Sequence, residues 1–182
     1  RTVYGRRYRE RGLAAHILGY IASDGPPPAG PVLHNEPLWQ RTRGATGLEA
    51  AFNKQLTGTD GTLCVVMTAN GTVAYDQVFT APQAGRDVVT TLNLDTQRLA
   101  DQALAQSGRR GAVVIIDAST GDVRAMVSRP SFDPNIFAAG ISSSAYEMLA
   151  GDINGPLFDR ALPASYPPRS VFKPLAVLAG LP

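Results

Sequence analysis

The pattern of apolar and polar positions predicts a hairpin in the first half of the chain. Two apolar-rich runs between residues 62 and 79 flank Ala69-Asn70-Gly71. An Asn-Gly pair between two such runs is a strong short-range signal for a β-hairpin. We therefore predict a strand pair around 62–79 with Gly71 at its turn.

A second hairpin is predicted further along, where residues 112–116 form a continuous apolar run. A Thr-Gly turn follows, in which Gly121 is free to take a positive φ, and residues 123–127 then form the return strand. An unbroken apolar run is typical of a central strand that is covered on both faces. Pro130 and Pro134 are expected to end the second strand.

Helices are predicted on both sides of the second hairpin. An entry strand from about residue 87 leads to a helix over 95–106, with Asp95 as its N-cap. Short helices are expected around 142–150. A last helix follows Ser170 and is predicted to be buried on most sides, because apolar residues recur there at Val171, Phe172, Leu175, Val177 and Leu178.

Ser170 and Lys173 carry the strongest chemical signal in the sequence. Pro167 and Pro168 bias the preceding backbone away from helix, and serine is favoured in a first helical turn. Residues three apart share a helix face, so the Ser170 hydroxyl and the Lys173 amine can meet. A buried lysine can act as a base, and a helix N-terminus stabilises an oxyanion. The pair therefore suits an activated serine nucleophile.

A plainer interpretation is that Ser170 only caps the helix and that Lys173 is a solvated side chain. On the Ser-x-x-Lys residues alone this interpretation is the better one, because a short motif is a hypothesis until its context supports it. The motifs around the pair make the interpretation as a catalytic pair the better one.

Several ordered motifs resemble the opening of the transpeptidase domain of penicillin-binding proteins. They are Gly-Ala-Val-Val-Ile-Ile-Asp-Ala-Ser-Thr-Gly at 111–121, Ala-Met-Val-Ser-Arg-Pro-Ser-Phe-Asp-Pro-Asn at 125–135, Pro-Leu-Phe-Asp-Arg-Ala at 156–161 and the Ser-x-x-Lys element itself. Residues 87–97 resemble the segment that leads into that domain. The resemblance implies Ser170 and Lys173 as the catalytic residues.

The first half resembles the pedestal of class B penicillin-binding proteins. The matching residues are Arg7-Tyr8, Gly12, the Ala-Ala-His-Ile-Leu-Gly-Tyr run at 14–20, and Gly47-Leu48-Glu49. Residues 137–152 are closest to the elongation-specific type. The resemblance implies an α+β fold, with a non-catalytic pedestal (dimerisation-type) domain over 1–86 and the front part of a transpeptidase domain over 87–182. A loop or insertion is expected at about 22–43, and Arg7 is expected to pair with Glu49.

The chain departs from the family pattern in two ways. Arg169 and Val171 replace the usual glycine and threonine beside the nucleophile, and an arginine at 169 is strained if that position needs a positive φ. The family's Ser-x-Asn and Lys-Thr-Gly motifs occur nowhere in the 182 residues. We therefore expect a fragment that lacks the family's membrane anchor and is inactive alone.

Composition narrows the remaining possibilities. A formal net charge of +2 and 44% hydrophobic residues indicate a globular chain and give no argument for nucleic acid. Cys64 is expected to be a buried structural cysteine in a strand, and His16 and His34 are expected to be structural. Asp117 and Asp122 are interpreted as turn residues. We predict no metal site and no cofactor.

The resemblance implies a peptidoglycan D,D-transpeptidase that β-lactams acylate on the outer face of the cytoplasmic membrane. Its implied partners are the stem peptide, a lipid-linked glycan polymerase and elongation scaffold proteins docked on the pedestal, and the C-terminal remainder of its own domain. The alternative is a non-catalytic scaffold that docks cell-wall synthesis proteins. A serine β-lactamase or β-lactam sensor shares Ser-x-x-Lys but leaves the pedestal motifs unexplained.

Overall fold

The computed structural model describes residues 5–25, 40–167 and 169–180. The predicted loop or insertion at 22–43 falls mostly outside these ranges, and His34 lies outside them. Both ends of that stretch are strands, because β1 (Ile21–Asp24) pairs antiparallel with β2 (Arg41–Gly44). The described residues of the first part also form three short helices: α1 (Ala15–Leu18), α2 (Gly47–Ala51) and α3 (Asn53–Leu56).

The first predicted hairpin is confirmed. Strand β3 (Thr62–Met67) pairs antiparallel with β4 (Val73–Thr80), and Gly71 has a φ of 81° at the turn. Every residue of β4 is exposed, and so is Cys64. The prediction of a buried cysteine is therefore wrong. A hairpin whose two strands pair only with each other leaves much of its surface to solvent.

The central helix α4 (Leu94–Gln106) matches the predicted one, but its start differs. The N-cap is Asn93, whose side chain accepts the Thr96 N–H at 2.9 Å, so the assignment of Asp95 as the cap is wrong. No regular strand precedes α4 among residues 87–93. This segment instead lies along the second hairpin through single bonds, such as the one from the Asn93 N–H to the Arg124 carbonyl at 2.9 Å.

The second predicted hairpin is confirmed as β5 (Gly111–Ile116) and β6 (Val123–Arg129), with Gly121 at a φ of 80°. Helix α4 covers one face of this hairpin, where a core forms from Ala100, Ala125 and Val127 with Leu104 and Val113 beside them. The expectation that β5 is covered on both faces is wrong for this structure, because its last residues are open to solvent and Ile116 is 56% exposed.

Three further helices follow: α5 (Asn135–Ala138), α6 (Ser143–Ala150) and α7 (Lys173–Ala179), the last preceded by a 3₁₀ turn over Arg169–Phe172. Of the short helices predicted around 142–150, the structure has one, α6. The prediction that the last helix is buried is wrong here, since Val171 is 82% exposed and α7 has no buried residue. Within the described ranges, no helix has the length and apolar character needed to cross a bilayer.

A second core joins the segment around α1 to residues 132–157. Ala15 packs with Phe132 and Phe137, and Tyr20, Ile141, Leu149 and Leu157 surround them. The Tyr20 and Phe137 rings stack with their centroids 3.8 Å apart. This mixed α+β fold thus places the segment around α1 directly against the segment that follows β6, across the predicted boundary between residues 86 and 87.

Candidate functional site

The candidate site is the turn that carries Ser170 and Lys173. Ser170 lies in the 3₁₀ turn and not at the cap of an α-helix, while Lys173 is the first residue of α7. In a 3₁₀ turn the side chains at i and i+3 eclipse, so the backbone places the two residues on the same side. Pro174 follows in the first turn of α7, where a missing N–H costs nothing.

Ser170 and Lys173 are both exposed in this structure. Neither side chain makes a hydrogen bond to any described residue. The water-excluding surroundings that an activated serine–lysine pair needs are therefore not formed by the described residues. The turn therefore brings Ser170 and Lys173 onto neighbouring positions of the backbone, but the two side chains do not form an activated pair in this structure.

Arg169 adopts the strained conformation that its replacement of glycine suggested. Its φ is 45°, in the left-handed region. Such a conformation costs a residue with a Cβ about 1–2 kcal/mol, which glycine does not lose. The nucleophile turn of this chain is thus held in a shape that its own sequence disfavours.

Upstream of the turn lies a loop over residues 152–161, here called the Arg160 loop. The Arg160 guanidinium donates to three carbonyls of the loop: Asn154 at 2.6 Å, Gly155 at 2.9 Å and Phe158 at 3.0 Å. The sequence motif Pro-Leu-Phe-Asp-Arg-Ala pointed to this place, but gave no role for the arginine. The structure shows that this one cation binds three backbone carbonyls of the loop.

The segment around α1 is fastened to the rest by an amide clamp. Asn135 accepts the Tyr8 N–H through Oδ1 and donates to the Tyr8 carbonyl through Nδ2, both at 2.9 Å. The Tyr8 hydroxyl donates to Glu49, and burial, followed by the charge of Glu49, raises the pKa of Tyr8. The cation on Glu49 is Arg6, at 2.9 Å, and not the expected Arg7, which points to solvent.

His16 has the structural role that was expected for it. Its Nε2 lies 2.8 Å from the Pro156 carbonyl, and its ring meets Phe132 edge to face. Burial lowers the pKa of His16 below the ordinary value, against the opposing effect of the Pro156 carbonyl. Neutral His16 therefore donates through Nε2 and connects α1 to the Arg160 loop.

The acidic residues of the second hairpin are turn residues, as expected. Asp117 accepts from the N–H and hydroxyl of Ser119, and these bonds lower the pKa of Asp117. Arg124 lies 3.5 Å from Asp117 and 3.4 Å from Asp122. Among the described residues no three His, Cys, Asp or Glu side chains are grouped as a metal site requires.

Two family models match the chain in order. The penicillin-binding protein dimerisation domain matches residues 1–90, and the penicillin binding protein transpeptidase domain matches residues 111–182. The first model includes α1 and the β3–β4 hairpin, and the second includes the β5–β6 hairpin, Ser170 and Lys173.

Curated proteins of similar sequence include two named peptidoglycan D,D-transpeptidase MrdA. The protein from Acinetobacter baumannii is 35% identical over 182 residues, which covers 99% of this chain and 26% of that protein. The protein from Escherichia coli is 37% identical over 183 residues, covering 98% of this chain and 29% of that protein. The chain thus spans less than a third of the length of these relatives.

Solved structures with the same fold include PBP2 of Pseudomonas aeruginosa in complex with WCK 5153. It matches with a TM-score of 0.73 and 36% identity, covering 100% of this chain and 35% of that one. A complex between PBP2 and MreC from Helicobacter pylori matches at 0.70 and 30%, covering 97% and 33%. A peptidoglycan synthase complex that coordinates polymerization and crosslinking matches at 0.64 and 31%, covering 86% and 29%.

Proposed function

This chain belongs to the elongation-type class B penicillin-binding proteins, and we propose that its parent is a serine-type peptidoglycan D,D-transpeptidase with Ser170 as the nucleophile. The observation that carries the proposal is that Ser170 lies in the 3₁₀ turn that leads directly into α7, of which Lys173 is the first residue. The names of the MrdA relatives support the reaction class.

In the proposed reaction the Ser170 hydroxyl oxygen attacks the carbonyl carbon of the penultimate D-Ala of a stem peptide. Lys173, as a neutral amine, takes the hydroxyl proton, and the proton passes to the departing D-Ala nitrogen when the peptide bond breaks. The Ser170 N–H donates to the oxyanion. An amine of a neighbouring stem then attacks the acyl-serine ester, which forms the cross-link and frees Ser170.

The exposure of Ser170 and Lys173 indicates what the chain needs in addition. A neutral amine requires burial, and an oxyanion requires donors held in a site that excludes water. Neither condition is met where both side chains face solvent. We therefore propose that the 182 residues are inactive alone and that the C-terminal remainder of the domain completes the site.

The experiment is an intact-mass measurement on the parent protein with and without benzylpenicillin, beside its Ser170→Ala variant. We expect a one-to-one adduct on the parent and none on the variant. An adduct that survives in Ser170→Ala would refute the assignment of the nucleophile. No adduct on the folded parent would refute the acyl-serine function itself.

A second candidate function is docking of cell-wall synthesis proteins by the first half of the chain. The observation that favours it is the β3–β4 hairpin, on which Phe79 is 78% exposed and Val66, Tyr75 and Val78 are also open. One similar solved structure is a complex between PBP2 and MreC, and another is a peptidoglycan synthase complex. We propose that an elongation scaffold protein and a lipid-linked glycan polymerase are partners of the parent.

This docking role is tested separately from catalysis. The parent and its Phe79→Ser variant would be compared for binding to a purified scaffold partner and for acylation by benzylpenicillin. We expect weaker binding with unchanged acylation, because the hairpin lies outside the Ser170 turn. Unchanged binding would show that the hairpin is not part of the interface.

We also propose a location for the parent. Since the substrate of the proposed transpeptidase is cell-wall peptidoglycan, we place the parent on the outer face of the cytoplasmic membrane.

A further inference from the structure

The Arg160 loop is fastened to three separate parts of the molecule. The Arg160 backbone N–H donates to the Ser128 hydroxyl of β6 at 2.9 Å, and Ser128 is buried. Arg110, just before β5, donates to the Ile153 carbonyl at 3.0 Å. His16 reaches the Pro156 carbonyl from α1. The loop therefore has a defined position relative to both the second hairpin and α1.

Within the loop, Arg160 holds together backbone groups that no helix or sheet would satisfy. Its two terminal nitrogens bind the three carbonyls already described, and its guanidinium carbon lies 5.5 Å from the centre of the Phe158 ring. The planar arginine fork presents several donors in fixed directions, whereas a lysine ammonium is a compact point charge on a flexible stem. Lysine cannot reproduce this set of bonds.

Downstream of the loop, the chain has few attachments before the nucleophile. The bond from the Ala161 N–H to Asp159 at 2.8 Å is the last hydrogen bond that any described residue makes before the 3₁₀ turn of Ser170. Between these points Pro163 and Pro167 each restrict φ to about −65°. The place where this stiffened segment leaves the Arg160 loop thus limits where Ser170 can be.

We infer that Arg160 is a positioning residue for the Ser170 nucleophile: by closing the loop, whose backbone is bound to Ser128, it sets the point from which the chain continues after Ala161 towards the catalytic turn. This inference rests on the proposed acyl-serine function. Arg160 itself touches neither Ser170 nor Lys173 and takes no part in proton transfer. Its effect on the reaction is exerted through the direction of the segment.

The test measures acylation kinetics on the parent protein with a fluorescent penicillin. The wild type is compared with Arg160→Lys, and with Arg124→Lys as a matched control near the start of β6, where Arg124 pairs with Asp117 and Asp122. Two quantities are separated: the limiting rate constant of acylation and the penicillin concentration that gives half of it. The midpoint of thermal unfolding and the fraction of protein that becomes labelled are recorded for each variant.

For Arg160→Lys we expect the limiting rate constant to fall about 10- to 100-fold, because small displacements of a reacting group carry losses of that size. The half-saturating concentration should stay within about threefold, since binding before the reaction is not changed. Arg124→Lys should behave as the wild type. Amide hydrogen exchange over 161–172 should be faster only in Arg160→Lys.

A purely structural arginine would give another result. Arg160→Lys would then show a lower unfolding midpoint and a smaller labelled fraction, but the folded molecules would react at the wild-type rate, and the inference would be overturned. If Arg160→Lys does not fold, Ser128→Ala removes one anchor of the loop and should lower the limiting rate about 2- to 5-fold. An unchanged rate in Ser128→Ala would equally overturn the inference.

Failure of the proposed function is recognised independently. If the wild-type parent is not labelled, or if Ser170→Ala is labelled equally, the acyl-serine assignment fails, and the role of Arg160 fails with it. If the wild type is labelled at Ser170 while Arg160→Lys and Ser128→Ala react at the same rate, only the positioning role is rejected.

Discussion

The side-chain amide of Gln97 pairs with the backbone of Met126 as a neighbouring strand would. Its Nε2 donates to the Met126 carbonyl at 2.7 Å, and its Oε1 accepts the Met126 N–H at 2.8 Å. Gln97 is only 2% exposed, so both bonds are shielded from water. Helix α4 is thereby fixed to β6 at one register, beside the core formed by Ala100 and Ala125.

Replacing Gln97 by alanine should destabilise the chain by about 2–4 kcal/mol, because it leaves the two Met126 backbone groups without partners in a shielded position. The free energy of unfolding, measured with urea, checks this value. Gln102→Ala is the matched control, since Gln102 is an exposed residue of the same helix. A loss for Gln97→Ala no larger than that of the control would contradict the assignment.

Replacing Asn135 by alanine should free the segment around α1. The change removes both bonds to Tyr8, and we expect a loss of about 2–3 kcal/mol with faster proteolysis near the N-terminus. Asn154→Ala serves as the control, because Arg160 binds the Asn154 carbonyl and not its side chain. Equal proteolysis of both variants would show that the clamp does not hold this segment.

The stability of the chain should depend on pH through His16. Burial lowers its pKa in the folded state, so the unfolded chain binds more protons and stability falls as pH drops below about 6.5. His16→Gln keeps a donor for Pro156 but does not titrate. Urea unfolding between about pH 5 and 7 should show a flatter dependence for this variant, and an unchanged slope would argue against the buried neutral histidine.

Arg169→Gly should stabilise the nucleophile turn. Glycine avoids the left-handed penalty of about 1–2 kcal/mol, but it loses about 0.4–1 kcal/mol more chain entropy on folding, so the net gain is at most about 1.6 kcal/mol and centres near about 0.8 kcal/mol. Hydrogen exchange of the amides over 169–176 measures it. Arg109→Gly, in another exposed loop, should leave those amides unchanged. Faster exchange in Arg169→Gly would mean that the arginine side chain itself holds the turn.

Cys64 should react with a thiol reagent in the folded chain, because it is exposed on β3. We expect one label per chain in buffer, at a rate within about tenfold of the labelling rate in urea. If the folded protein buried the thiol, labelling in buffer would be slower by a much larger factor. Cys64→Ser should take up no label. Labelling that requires urea would restore the sequence-based expectation of a buried cysteine.

Much of the local structure could be predicted from the sequence. Both hairpins and α4 appear where the apolar pattern and the turn residues Gly71 and Gly121 place them, because these features depend on neighbours in the chain. The family of the chain was likewise predicted, and its matching models confirm it. The assignment of Ser170 and Lys173 as catalytic stays a prediction.

The errors that concern burial share one physical cause. A pattern of apolar residues shows which side of an element is suited to burial, but not whether another segment covers it. Cys64 in β3, the end of β5 and the whole of α7 were expected to be buried and are open to solvent. Arg7 was predicted to pair with Glu49, but the neighbouring Arg6 does so, for a related reason. Adjacent arginines differ only in the direction that the folded backbone gives their side chains.

The sequence by itself therefore determined the two hairpins, their turns and the place of α4, since these follow from local propensity and spacing. Only the tertiary structure decided that Asn135 holds Tyr8, that Gln97 pairs with Met126 and that Arg160 gathers the loop before Ser170. Each of these bonds joins a side chain to backbone groups whose positions depend on the whole fold. Such contacts cannot be predicted from the spacing of residues along the chain.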